Sequence, residues 1–148
     1  MAQNKQSMTR KEAREAVFSL LFETEFKEGQ APESIFATST QNWEYAEDQY
    51  ISDVYFGVCQ KKAELDEIIS RHAKGWKLNR MSVASRSIIR LATYEMKFMD
   101  SIPLPVSLDE AVELAKKFDD EKARPFINGV LNGIKDEIES AGSGERNA

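Results

Sequence analysis

The stretch from Ser82 to Met99, SVASRSIIRLATYEMKFM, constrains this chain more than any other part of it. Val83, Ile88, Ile89, Leu91, Ala92, Met96, Phe98 and Met99 put apolar side chains on nearly every side of a helix. A helix with so little polar surface belongs at the centre of its domain, so the remaining elements have to wrap around it. Asp100 and the Pro103/Pro105 pair mark its end, because a residue before proline avoids the helical region.

The flanking segments read as helices able to do that wrapping. Thr9-Arg10-Lys11-Glu12 fits a capping box, and Ala13, Ala16, Val17, Leu20 and Leu21 follow at helical spacing, which predicts a helix over 9–28 stopped by Gly29. Phe18, Phe22 and Phe26 form a second line at i, i+4, i+8. They fit either a helix central to its bundle or an aromatic face left open for a partner. Pro32 suits the first turn of a short helix over 32–40, and residues 41–46 connect to a long amphipathic helix over 47–73. Lys61 and Lys62 thin the stripe of that helix, a place suited to a kink or a frayed contact, and Gly75 ends it. Ser107-Leu108-Asp109-Glu110 reads as a second capping box opening a helix over 107–118, with Lys116 and Lys117 favourable at its end. Pro125 has to lie in the first turn of the last helix. Gly129 inside it reads as a point of close helix approach.

No sustained alternation bounded by turn residues predicts a strand. Seven Gly and four Pro in 148 residues fall well under the roughly 12% of average usage, which again favours helix. The expected fold is all-α, with two small antiparallel helical bundles packed into one body and about three helices on each side of Gly75. Residues 1–8 read as a flexible basic arm, 9–75 and 76–140 as the two bundles, and 141–148 as a polar tail.

Composition excludes several kinds of function. One cysteine, Cys59, forms no internal disulfide, no apolar run of about 18 residues spans a bilayer, and the N-terminus lacks the apolar middle of a signal peptide. A cytoplasmic protein without membrane partners is expected. His72 is the only histidine and has no metal-spaced companions, no phosphate-cradling glycine loop occurs, and nothing assembles a nucleophile, base and oxyanion donor. The chain therefore reads as a non-enzyme that calls for no metal or cofactor. Its net charge of −5 argues against nucleic-acid binding at first sight. The charge is uneven, however. Residues 1–14 hold Lys5, Arg10, Lys11 and Arg14 against Glu12 alone, while the rest carries 16 bases and 24 acids.

Three linked blocks add a resemblance. They are SRSIIRLATYEM (85–96), IPLPVSLDEAVELAKKF (102–118) and PFINGVLNGI (125–134), preceded by Trp76 and Arg80 and by Ala13-Arg14-Glu15-Ala16 leading to Leu20-Leu21-Phe22. In order and spacing this chain resembles the NusB family of bacterial transcription antitermination factors over about 9–135. The resemblance implies two antiparallel three-helix bundles and no catalysis. It also implies pairing with the ribosomal protein NusE to bind the boxA element of single-stranded nascent RNA, including ribosomal RNA transcripts, within complexes of other Nus factors on RNA polymerase. The competing reading is a helical interaction module with no RNA binding of its own.

Carried over residue by residue, the family's arginine-rich start falls on Arg10, Lys11 and Arg14, with Glu12 where many members have a base. Arg10 and Arg14 are i, i+4, so all three cations share one side of the first two turns, where the helix N-terminus adds its positive end. Phe126 falls at a family position near the RNA surface, with Lys122 and Arg124 in the turn before it and Pro125 as a departure. For NusE the resemblance points to helix one, with Phe18 and Phe22, and to the start of the second bundle, with Arg80 and Ser85. Ser85 stands where the family commonly has an acid. Arg90, Glu95 and Glu110 read as structural, since Arg90 in a mostly apolar helix needs a partner carboxylate if buried.

Overall fold

A computed structural model describes residues 5–142. The 82–99 stretch forms a helix over Val83–Phe98, capped by the Ser82 hydroxyl, which accepts from the Ser85 N–H (2.9 Å). Eleven of its sixteen residues are buried, and it packs against five of the six other helices. In chain order the helices are α1 (Arg10–Glu25), α2 (Pro32–Thr40), α3 (Gln49–Gln60), α4 (Lys62–His72), α5 (Val83–Phe98), α6 (Leu104–Phe118) and α7 (Ala123–Ala141), with one 3-10 turn at Leu78–Arg80. Among the described residues there are seven α-helices and no strand, and only an isolated bridge pairs Gln6 with Tyr45. A single apolar core runs from α1 to α7, and the last three helices pack on one another around α5.

Three boundaries differ from expectation. The segment 47–73 is two helices rather than one, so four helices precede Gly75. The break falls at Lys61, whose backbone leaves the helical region at φ −104°, ψ 18°. It lets α3 pack on α1 and α5 while α4 turns to reach α5 and α7. α3 approaches α5 so closely at Gly57 that a Cβ there would collide with the Tyr94 ring.

The second capping box does not form. α6 starts at Leu104, three residues earlier than expected, because Pro105 is tolerated in a first turn whose N–H groups lack helical partners. Ser107 lies inside the helix and is buried. α1 ends at Glu25 rather than 28, with the Phe26 N–H donating to the Glu23 carbonyl (3.0 Å) and the Lys27 N–H to the Thr24 carbonyl (3.1 Å). Gly29 then turns the chain in the left-handed region at φ +89°.

Gly129 also differs from expectation: it faces open space. The close approach is one turn later at Gly133, where a Cβ would sit 2.6 Å from Nδ1 of His72. His72 closes α4 and places Nε2 2.7 Å from Glu137 Oε1.

The N-terminal segment lies along the α2–α3 connector, where the Ala46 N–H donates to the Gln6 carbonyl (3.0 Å) and Lys5 Nζ to the Trp43 carbonyl (3.3 Å). Residues 1–4 of the expected arm, and 143–148 of the expected tail, lie outside the described residues.

Candidate nucleic-acid interface

The start of α1 is built by its cap. The Thr9 hydroxyl accepts from the Glu12 N–H (3.1 Å), and Glu12 Oε1 accepts from the Thr9 N–H (2.8 Å). The acid that interrupts the basic run is therefore occupied in holding the helix start together. Arg10 and Lys11 are exposed, and the Arg10 guanidinium lies 4.3 Å from the centre of the Tyr50 ring.

Arg14 does not join them. Its side chain is 7% exposed, and it grips Glu95 of α5 through Nε (2.8 Å) and Nη2 (3.2 Å), with Glu110 at 3.8 Å. The expectation that Arg14 contacts RNA is corrected. Its position in the stripe of Ala13, Val17, Phe18 and Leu21 turns it inward, and an ion pair with a buried carboxylate is not given up for solvent. Burial opposes its charge, but the hydrogen-bonded Glu95 and nearby Glu110 outweigh it and raise its proton affinity above the usual guanidinium value. Tyr50 and Ser107 also donate to Glu95, the latter at 2.8 Å, so α1, α3, α5 and α6 meet on one carboxylate. Burial first, and then Glu95, push the Tyr50 hydroxyl far above its ordinary pKa and keep it a neutral donor.

The expected Lys122–Phe126 site lies elsewhere. Asp119, at the end of α6, accepts from the Ser85 hydroxyl (2.5 Å) in the first turn of α5, whereas Arg14 meets Glu95 in its last turns. Ser85 and Glu95 are ten residues apart, roughly 15 Å along the helix. The structure therefore splits the expected RNA residues into two groups, one at each end of α5.

In the second group Lys122 is exposed, and Arg124 lies 3.7 Å from Glu121, with its Nε buried and without a hydrogen-bond partner among the described residues. Phe126 is half-buried against the core and meets Trp76 edge-on, with ring centres 5.9 Å apart. Trp76 itself is 55% exposed. Between the groups a shallow cleft of about 230 Å³ separates α1 from α6, lined by Lys11, Glu15, Glu113, Lys116 and Lys117. Lys116 and Lys117, expected only as helix-end charges, extend the exposed cations from one group toward the other, although Lys117 also pairs with Glu15 (2.8 Å).

The Phe line divides. Phe18 is buried and stacks on Phe118 at 4.8 Å, so it is a support rather than the exposed contact expected. Phe22 (37% exposed), Phe26 (66%) and Phe118 (38%) form the open aromatic ridge. Phe118 closes its own helix, and its stacking on Phe18 of α1 brings it there. Ser85 is buried and bonded to Asp119, so it offers no surface to a partner, and that expectation is also corrected. Arg80 is exposed in the 3-10 turn. Arg90 is structural as expected: Asp66 takes two of its hydrogen bonds (2.8 and 3.0 Å) and Glu25 a third (3.3 Å). Burial would raise the Glu25 carboxyl, but Arg86, Arg90 and Lys62 hold it below its usual range.

Residues 11–136 match the model of the NusB family. The chain is 41% identical over 139 residues to the transcription antitermination protein NusB of Bacillus subtilis, covering 90% of this chain and 100% of that protein. It is 43% identical over 138 residues to that of Bacillus velezensis, with the same coverage. Among solved structures, NusB of T. maritima superposes with a TM-score of 0.80 at 35% identity, covering 89% of this chain and 94% of that one. A structure described as antitermination factors NusB and NusE in complex with dsRNA superposes with a TM-score of 0.77 at 27% identity, covering 86% and 96%.

Proposed function

The chain belongs to the NusB family, and on that premise we propose that it is an RNA-binding transcription antitermination factor that pairs with the ribosomal protein NusE to bind boxA RNA in nascent transcripts, including those of ribosomal RNA operons. Through that complex it joins other Nus factors and RNA polymerase. It acts in the cytoplasm by binding alone, with no catalysis and no cofactor. Among the described residues, no helix is long and apolar enough to cross a membrane.

The observation that carries this reading is the exposed cationic start of α1 on the same helix as the exposed Phe22–Phe26 ridge. Single-stranded RNA is held by phosphate contacts together with stacking on aromatic or guanidinium planes. Arg10 and Lys11 are assigned to phosphates, Lys122 and Arg124 to a second stretch of backbone, and Phe126 with Trp76 to an unstacked base. Phe22 and Arg80 are assigned to NusE, with Phe118 and Phe26 extending the apolar part of that contact.

The test is equilibrium binding of a boxA RNA and a scrambled RNA, with and without NusE, at two stated salt concentrations. The pair is expected to bind boxA more tightly than either protein alone and to prefer it to the scrambled RNA. Equal binding of both RNAs by the pair overturns the reading.

The second reading, an interaction module without RNA binding of its own, draws support from the withdrawal of Arg14 and from the acids between the remaining cations. Phe22→Asp separates the two. On either reading it abolishes capture of NusE, and on the first it also removes the boxA preference gained with NusE while leaving the free protein's RNA binding in place.

A further inference from the structure

The Arg14–Glu95 pair withdraws one cation from the surface, but the same carboxylate fixes the ring beneath another. Tyr50 of α3 is buried, its hydroxyl donates to Glu95 Oε2, and Arg14 and Ser107 hold Glu95 from two other helices. The outer face of that ring is covered by the exposed guanidinium of Arg10 at 4.3 Å. A cation over an aromatic face is attracted by the ring quadrupole, and a planar guanidinium also stacks on it. An exposed arginine otherwise loses the freedom of a long side chain when it binds a phosphate. One already lying on a buried ring loses less, so its contact is stronger.

We infer that Tyr50 is a positioning residue for RNA binding: anchored through Glu95 to Arg14 and Ser107, it holds Arg10 in place at the start of α1. The inference rests on the proposed RNA-binding function. It separates the two basic residues that the i, i+4 spacing joined, leaving Arg10 to meet the ligand while Arg14 supports the platform beneath it. Tyr50 itself is withdrawn from the ligand, being 5% exposed and lying beneath Arg10.

The test is a double-mutant cycle on boxA RNA binding with NusE present, using Tyr50→Leu, Arg10→Ala and the double variant, with Tyr50→Phe as the conservative control. Tyr50→Leu is expected to weaken binding about three- to fivefold in the wild-type background and to have no effect in the Arg10→Ala background. Tyr50→Phe, which keeps the ring, is expected to bind within about twofold of wild type. NusE capture reports on the rest of the surface and is expected to be unchanged in all variants.

Equal weakening by Tyr50→Leu in both backgrounds overturns the proposal, because the ring then acts on stability and not on Arg10. No weakening in the wild-type background overturns it as well. Should Tyr50→Leu fail to fold, the wild-type protein still decides: NMR of the free chain is expected to show the Arg10 side-chain protons shifted upfield by the ring, and random-coil shifts overturn the inference. If instead the wild-type pair fails to prefer boxA over scrambled RNA, the proposed function is what fails. The NMR result then stands as a statement about Arg10 alone.

Discussion

At the scale of single residues, the main lesson lies in two arginines four positions apart. Arg10 and Arg14 share one side of α1, yet one is exposed and the other is buried against Glu95, because the helix face they share runs from solvent into the core. Their substitution should therefore give different results. Arg14→Ala leaves Glu95 buried without its cation, a loss expected to cost about 3 kcal/mol or more in urea unfolding. Lys11→Ala, at an exposed site, should change stability by less than about 0.5 kcal/mol. The order reverses in RNA binding. Each lost phosphate contact lowers the magnitude of the salt slope by about 0.7 for a single strand. Lys11→Ala and Arg10→Ala should show that change in a salt titration, while Arg14→Ala, measured where it remains folded, should keep most of its slope.

At the scale of elements, α4 and α7 show how contact decides the role of a residue that looks alike in sequence. Gly129 and Gly133 are one turn apart on α7, and either could mark a close approach. Gly129 meets nothing, whereas Gly133 lies against His72. Gly129→Ala should raise stability by about 1 kcal/mol through helix propensity alone. Gly133→Ala should fail to show that gain and melt below Gly129→Ala, since its Cβ has to displace a ring held by Glu137.

The same junction predicts a pH dependence. Hydrogen bonds from Arg71 hold the Glu137 carboxyl down to about 2, against the upward push of partial burial and with help from His72. A folded-state value below the unfolded one gives stability that is fully present above about pH 4.5 and is lost as pH falls toward 2. Glu137→Gln should accordingly melt at a lower temperature than wild type at pH 7, and the two melting curves should converge as pH is lowered through that window.

At the scale of the whole molecule, charge and surface divide the labour. The body is acidic, the start of α1 is basic, and acids such as Glu113 and Glu121 stand exposed beside the cations that continue toward α7. Like charge repels phosphate, so on the proposed function these acids would disfavour any RNA that does not fit the basic edge and the partner together. Replacing both with Gln should increase binding to scrambled RNA more than binding to boxA, as measured by competition at fixed salt. An equal gain for both RNAs would show that the acids set affinity and not selectivity.

The sequence alone determined the helical class, the central place of α5 and the cap of α1, because apolar periodicity, breaker scarcity and capping chemistry are local properties read along one strand of text. It also carried the family through three blocks in fixed order. Where those helices met was a different matter. The early start of α6, the burial of Arg14, Phe18 and Ser85, and the emergence of Phe118 beside Phe22 were decided only by tertiary packing, which also turned the thinned stripe at Lys61 into a full break. A helical residue has one face whichever way the helix is turned, but whether that face meets solvent, a carboxylate or a ring depends on helices far away in the chain. Glu95 is 81 positions from the Arg14 it neutralises, and no spacing rule within α1 reaches that far.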